Sequence, residues 1–273
     1  MPYRRILTIQ DISCVGQCSM TVALPILSAC GHETCILPAA VLSTHTGGFG
    51  KPAMTNLTSG MDAIWRHWHR QGITFDAIYT GYLGSIESVR IVSELTKVLL
   101  APEGILIVDP AMADHGKLYS GLDAAYANAM RSLCLRADVM LPNITEAAMM
   151  TGMPYSDSPD EAYVLNLLER LGGKDVVLTG VGFAPDQTGA AIRRNGKITF
   201  YSHEKIGASY SGTGDIFASA FTGSYLQEKT MEQAVQIASD YTCECIRNTF
   251  ESPAHWYGVK FETALPYLID LLK

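Results

Sequence analysis

Short apolar runs at residues 5–10, 33–37, 76–80, 104–108, 138–141 and 175–179 alternate along this chain with stretches of helical spacing. That alternation is what most limits the fold. The run Gly104–Val108 is apolar throughout, the pattern of a strand in a parallel sheet covered on both faces. Helices are expected at about 19–30, 58–71, 85–99, 121–133 and 159–171, with a further one containing Glu146. Pro25 lies inside the first and should kink it. Strands alternating with helices build a doubly wound sheet. The pattern then changes: Thr188–Arg194 and Lys197–His203 are joined by Asn195-Gly196, a strong hairpin signal. Helices at about 215–227, 231–248 and 260–272 complete the chain. The expected fold is α/β, mostly parallel with an antiparallel edge hairpin. With no repeat, low-complexity segment or linker, residues 1–273 read as one domain.

Composition narrows the partners. A net charge of −7 supplies no basic patch, so a nucleic-acid partner is not expected. No apolar run reaches membrane-spanning length, and Met-Pro-Tyr-Arg-Arg leads directly into a strand. The expectation is a cytoplasmic protein with no membrane partner. Seven cysteines are scattered without C-x-x-C spacing, and Cys14 and Cys18, four apart, have no histidine near them in sequence; all read as buried, reduced thiols. Ile64, Trp65 and Trp68 share a helix face, and the cluster with His67 and His69 reads as core or subunit contact.

Ligands of such sheets bind beyond the carboxyl ends of the strands. The polar residues at those ends are Asp11, Asp109, Asn143 with Glu146, Thr179 with Gly180, and Asp215. Several carboxylates in one cleft call for metal or protonation, and carboxylate and amide oxygens suit Mg²⁺. In Ser211–Asp215, Gly212 and Gly214 permit a tight turn and close ligand approach. The apolar run from Ile216 has helical spacing, so this turn opens onto a helix N-terminus, an anion cradle. Asp215 stands in that first helical turn, placed to accept a proton. Cradle and base together suit phosphoryl transfer to a hydroxyl. The loop Ser43–Gly50, with small hydroxyls, His45 and three glycines, reads as a binding loop or flap. The chain contains no P-loop, no Gly-x-Gly-x-x-Gly after the first strand and no Gly-x-Ser-x-Gly elbow.

Gly81-Tyr82-Leu83-Gly84-Ser85, Asp109-Pro110, Pro142-Asn143-Ile144-Thr145-Glu146 and Gly212-Thr213-Gly214-Asp215, in this order, carry a resemblance. The chain resembles the ribokinase-like superfamily, and within it the pyridoxal kinases of vitamin B6 salvage, over nearly its whole length. The resemblance implies a three-layer α/β/α fold and ATP-dependent phosphorylation of the 5′-hydroxymethyl group of pyridoxal, pyridoxamine or pyridoxine. It implies Asp215 as the base, the amides around Gly212, Thr213 and Gly214 as the anion hole, and Asn143 with Glu146 as organisers of Mg²⁺ and phosphates. Asp109, Thr179 and Gly180 are implied near the ATP phosphates, with Asp109 and Glu146 on the metal side. Thr46 and Tyr82, with His45 beside them, match substrate-side positions, and residues 206–211 should line the adenine. A homodimer is the family expectation.

Two departures stand out. Asp11 occupies a position where pyridoxal kinases commonly carry serine, and a carboxylate there favours a pyridinium nitrogen or the ammonium of pyridoxamine. The Gly47–Gly50 stretch is unusually rich in glycine and suits a flap that excludes water. Competing readings are a hydroxymethylpyrimidine kinase of thiamine synthesis, which usually carries cysteine where Asp215 stands, and a non-catalytic nucleotide- or B6-binding protein.

Overall fold

The computed structural model describes residues 2–207, 210–250, 252 and 254–273. The chain begins with β1 (Arg5–Ser13), α1 (Met20–Ala29), β2 (Glu33–Leu42), β3 (Met54–Asn56), α2 (Thr58–Arg70), β4 (Phe75–Thr80) and α3 (Ile86–Leu99). It continues through β5 (Leu100–Val108), the small paired strands β6 (Ala113–Asp114) and β7 (Lys117–Leu118), α4 (Ala124–Cys134), β8 (Val139–Met140), α5 (Ile144–Thr151) and α6 (Glu161–Leu171). Then come β9 (Asp175–Thr179), β10 (Gln187–Arg194), β11 (Lys197–Glu204), α7 (Thr213–Leu226), α8 (Met231–Phe250), a 3-10 turn (Phe261–Ala264) and α9 (Leu265–Leu271).

Nine strands form one sheet in the order β11-β10-β9-β8-β5-β4-β1-β2-β3. The inner neighbours pair in parallel, while β3, β10 and β11 run antiparallel at the two edges. Period-2 geometry explains why the central strands are apolar without a break. Val108 and Leu178 point into the core under α2 to α6, whereas Ile107 and Val177 point into the core under α1, α7, α8 and α9. Each such fully buried aliphatic side chain contributes about 1.5–3 kcal/mol. Three layers result, α/β/α, as expected.

Several local expectations need correction. The first strand runs on to Ser13, so Asp11 lies inside β1 and not at the start of a loop. The register against β2 slips by one residue between Gln10 and Ile12, and this irregularity re-aims Asp11. Edge strand β3 carries no alternating signal because all its residues are exposed. On α2, Trp65 is buried and Trp68 packs edge-on against Phe75, but Ile64 faces outwards. Helix α1 passes through Pro25 unbroken. The last expected helix divides into the 3-10 turn and α9, with Pro266 in the first turn of α9. All seven cysteines are free thiols, although Cys14 is exposed. Among the described residues, no helix is long and apolar enough to cross a membrane.

Candidate active site

The carboxyl ends of β1, β4, β5, β8 and β9 open into a cavity of about 530 Å³. Asp11, His45, Thr46, Tyr82, Asp109, Asn143, Glu146, Thr179, Gly180, Gly212, Thr213, Gly214 and Asp215 all line it. The residues singled out in the sequence are thus brought together, although they span more than two hundred positions. Of the segment 206–211, Tyr210 and Ser211 line the cavity, whereas positions 208 and 209 lie outside the described residues.

The turn before α7 is shaped by its glycine. Gly212 has φ 85°, and a Cβ there would lie 3.0 Å from the Gln17 carbonyl and 3.2 Å from Cys18 Sγ. Glycine is required by both conformation and proximity. The first backward bond of α7 runs from the Ile216 amide to the Gly212 carbonyl at 3.0 Å. The amides of Thr213, Gly214 and Asp215 therefore have no intrahelical acceptor and are available to an anion. Asp215 projects from this turn, and its Oδ2 accepts the Ser19 backbone N–H at 3.0 Å. Burial pushes the Asp215 carboxyl up to about 6, with the Asp11 charge adding to the rise and the Ser19 amide and Cys18 thiol opposing it.

Asp109 caps β5. Its Oδ1 accepts the Ala111 amide at 3.0 Å, and Ala111 adopts an unusual φ of 27° to provide it. Burial, then the charges of Glu146 and Asp215, holds the Asp109 carboxyl well above the ordinary range. Glu146 is held by backbone through both of its carboxylate oxygens. Its Oε2 accepts the Asn143 amide at 2.8 Å and its Oε1 the Met112 amide at 2.9 Å, so both oxygens are committed to backbone. Asn143 completes the capping box by accepting the Glu146 amide at 2.9 Å, and donates to the Ala113 carbonyl at 2.8 Å. The Asn-x-x-Glu pair therefore ties α5 to the loop after β5, just beyond Asp109.

His45 is also more engaged than expected. Its Nδ1 accepts the Gly47 amide at 2.9 Å and its Nε2 donates to the Tyr257 carbonyl at 2.5 Å, an arrangement that selects the Nε2–H tautomer. Phe49 packs among His45, Trp256 and Tyr257, with ring centroids 5.0, 4.8 and 5.8 Å away. The Ser43–Gly50 loop is thereby fastened to the segment following α8. Thr46 sits exposed at the rim.

At the other end, Asp11 is buried, and its Oδ2 accepts the Ser13 hydroxyl at 3.0 Å. Burial raises its carboxyl, opposed by the hydroxyls of Ser19 and Ser13. Tyr82 lies nearby, its ring centroid 6.5 Å from that of Tyr119. Cys18, Ser19 and Tyr119 were not foreseen from the sequence, yet all line the cavity. The sequence marked Ser19 only as the start of a helix.

The donors available to a divalent cation are few. Among the described residues, no three His, Cys, Asp or Glu side chains gather as a metal-binding group. Asp109 has an oxygen not used by Ala111, and Glu146 stands behind it. That donor set fits Mg²⁺ held chiefly by water and phosphate oxygens.

The phosphomethylpyrimidine kinase family model matches residues 63–259. The structure is similar to the pyridoxal kinase of Lactobacillus plantarum, with TM-score 0.90 and 32% identity over 98% of this chain and 97% of that one. It is similar also to a Bacteroides thetaiotaomicron protein described as a phosphomethylpyrimidine kinase and crystallised with pyridoxal, with TM-score 0.92 and 34% identity over 97% and 95% of the two chains. The pyridoxine/pyridoxal/pyridoxamine kinase of Bordetella avium is 26% identical over 89% of this chain and 85% of its own. The chain belongs to the phosphomethylpyrimidine kinase family, in the pyridoxal kinase group of the ribokinase-like superfamily.

Proposed function

We propose that this chain, acting as a single kinase domain, phosphorylates the 5′-hydroxymethyl group of a vitamin B6 vitamer with ATP. One observation carries the reading: a carboxylate in the first turn of α7, beside free helix amides, shares one cavity with a buried carboxylate at Asp11. Asp215 Oδ2 is held by Ser19, which leaves Oδ1 to accept the proton of the substrate hydroxymethyl. The hydroxymethyl oxygen attacks the γ-phosphorus and the bond to the β-phosphate bridging oxygen breaks. Negative charge then leaves with ADP, and the amides of residues 213–215 face the transferred group. Asp109, supported by Glu146 and Asn143, would hold Mg²⁺ through water, and the ion neutralises phosphate charge when bound. Asp11 faces the ring end, where a carboxylate favours a pyridinium N–H or an ammonium.

The carboxylate at position 215 separates this reading from hydroxymethylpyrimidine kinases, expected to carry cysteine there, and from a protein that only binds. Action in the cytoplasm suits an ATP-consuming step. A homodimer remains part of the proposal, although buried Trp65 no longer recommends α2 as the contact. The test is ATP consumption with Mg²⁺ on pyridoxal, pyridoxine, pyridoxamine, hydroxymethylpyrimidine and simple sugars, with sedimentation velocity for the dimer. Turnover confined to the vitamers is expected. Turnover of hydroxymethylpyrimidine alone, or tight binding without turnover, would overturn the reading.

A further inference from the structure

Both ring nitrogens of His45 are committed to backbone, Nδ1 to the Gly47 amide and Nε2 to the Tyr257 carbonyl. The ring has no hydrogen bond left for a substrate. It is also buried, although its loop lines the cavity. The two segments it joins both close on Ser211. Gly47 lies so near that a Cβ there would stand 2.5 Å from the Ser211 hydroxyl oxygen. Gly47 is not left-handed, so closeness alone calls for glycine. Gly258, next to Tyr257, approaches from the other segment: a Cβ there would lie 3.2 Å from the Gly16 carbonyl oxygen and 3.9 Å from that of Ser211. The His45 ring fills the space beside Gly16, where no Cβ would fit. Ser211 directly precedes Gly212, whose carbonyl receives the first backward bond of α7. The free amides of residues 213–215 take their direction from that turn. One imidazole thus ties together the two backbones that grip the start of the anion turn. The next residue, Thr46, stands at the cavity rim.

We propose that His45 is a positioning residue that makes the Ser43–Gly50 loop and the anion turn close as one unit, so that a vitamer held by the loop tightens the hold of the turn on ATP. With the loop drawn off Ser211, the phosphate must order the turn itself, and that ordering weakens binding. A vitamer that seats the loop removes the cost. The inference rests on the vitamer-kinase reading above and adds a coupling between its two substrates.

Calorimetric titration tests it without turnover, using pyridoxal and the non-hydrolysable β,γ-imido analogue of ATP with Mg²⁺. Saturating pyridoxal should tighten analogue binding to the wild type about tenfold, and the analogue should tighten pyridoxal by the same factor. His45→Asn keeps an acceptor near the Nδ1 position and loses the donor to Tyr257; His45→Gln keeps a donor near the Nε2 position and loses the acceptor for Gly47. Each breaks half of the tie, and each should bring the factor close to one. Ser211→Ala leaves both His45 bonds intact and removes the hydroxyl against Gly47. It should lower the factor as well, and it decides the question if a His45 variant folds poorly. A purely structural role would lower Tm and both affinities while leaving the factor at its wild-type value. That result overturns the inference, as does a wild type that binds both ligands without coupling. A wild type that binds no pyridoxal overturns both readings. One that binds it, shows the coupling and phosphorylates no vitamer overturns the functional reading alone.

Discussion

The backbone N–H of Ser19 and Oδ2 of Asp215 meet at 3.0 Å, joining the start of α1 to the first turn of α7. One carboxylate oxygen is thereby fixed and the other is left to the cavity. Cys18 lies beside the same carboxylate, and Asp11, Asp109, Tyr79 and Tyr119 all feel its field or contribute to it. A base held this way has a defined direction of proton acceptance and a pKa displaced upwards.

The displacement gives a pH dependence. Asp215 must be ionised to act, and its carboxyl stands at about 6, so kcat should rise as pH increases through about 6 and level off above it. Stability runs the other way. The unfolded carboxyl loses its proton near its ordinary value of 3.8, before the folded one does, so stability falls as pH rises from about 4 through about 6. Asp215→Asn should therefore be more stable than wild type at pH 8, by up to about 3 kcal/mol, and show no advantage at pH 3.5. Thermal melts across that range check it.

Glu146→Ala should unfold the loop after β5 before it does anything else. It leaves the Met112 and Asn143 amides without their acceptors, at about 1–3 kcal/mol each. A fall in Tm of about 5–10 °C is expected, together with loss of activity. An unchanged Tm with activity lost would instead make Glu146 a direct metal ligand.

Asp11→Ser should change which vitamer is preferred. Removing a buried carboxylate from the ring end weakens the most cationic substrate most. Relative kcat/KM for pyridoxamine is expected to fall about tenfold against pyridoxine, the scale of one hydrogen bond to a charged group. An unaltered ranking of the three vitamers would remove Asp11 from substrate selection.

Phe49→Ala should loosen the Ser43–Gly50 loop by removing the ring that packs on His45, Trp256 and Tyr257. Water then reaches the transfer site more freely, and ATP hydrolysis without vitamer should rise relative to transfer. Measuring ADP release with and without pyridoxal separates the two. An unchanged ratio would deny the loop a role in excluding water.

The parallel fold was legible because its central strands are buried on two faces and carry apolar runs, as in Gly104–Val108 and Val176–Leu178. That pattern also located the site, since the carboxyl ends of such strands converge wherever the helices pack. What escaped the sequence depends on backbone geometry and distant partners. Ser19 read only as the start of a helix, yet with its φ of 54° its backbone N–H reaches Asp215, nearly two hundred residues away. Glu146 read as a carboxylate at the metal side, but the distant Met112 amide and the local Asn143 amide occupy its two oxygens. His45 looked available in a flexible loop until Tyr257, more than two hundred residues away, took its Nε2. Edge strand β3 has no buried face and so left no periodic trace.

In the proposed reaction Asp215 is the base of phosphoryl transfer to a B6 hydroxymethyl group. Asp215→Asn keeps the shape of the carboxylate and removes its basicity. Its kcat with pyridoxal should fall by about 10²–10⁴-fold, while ATP binds as tightly as to wild type. Retention of wild-type kcat by Asp215→Asn would contradict it.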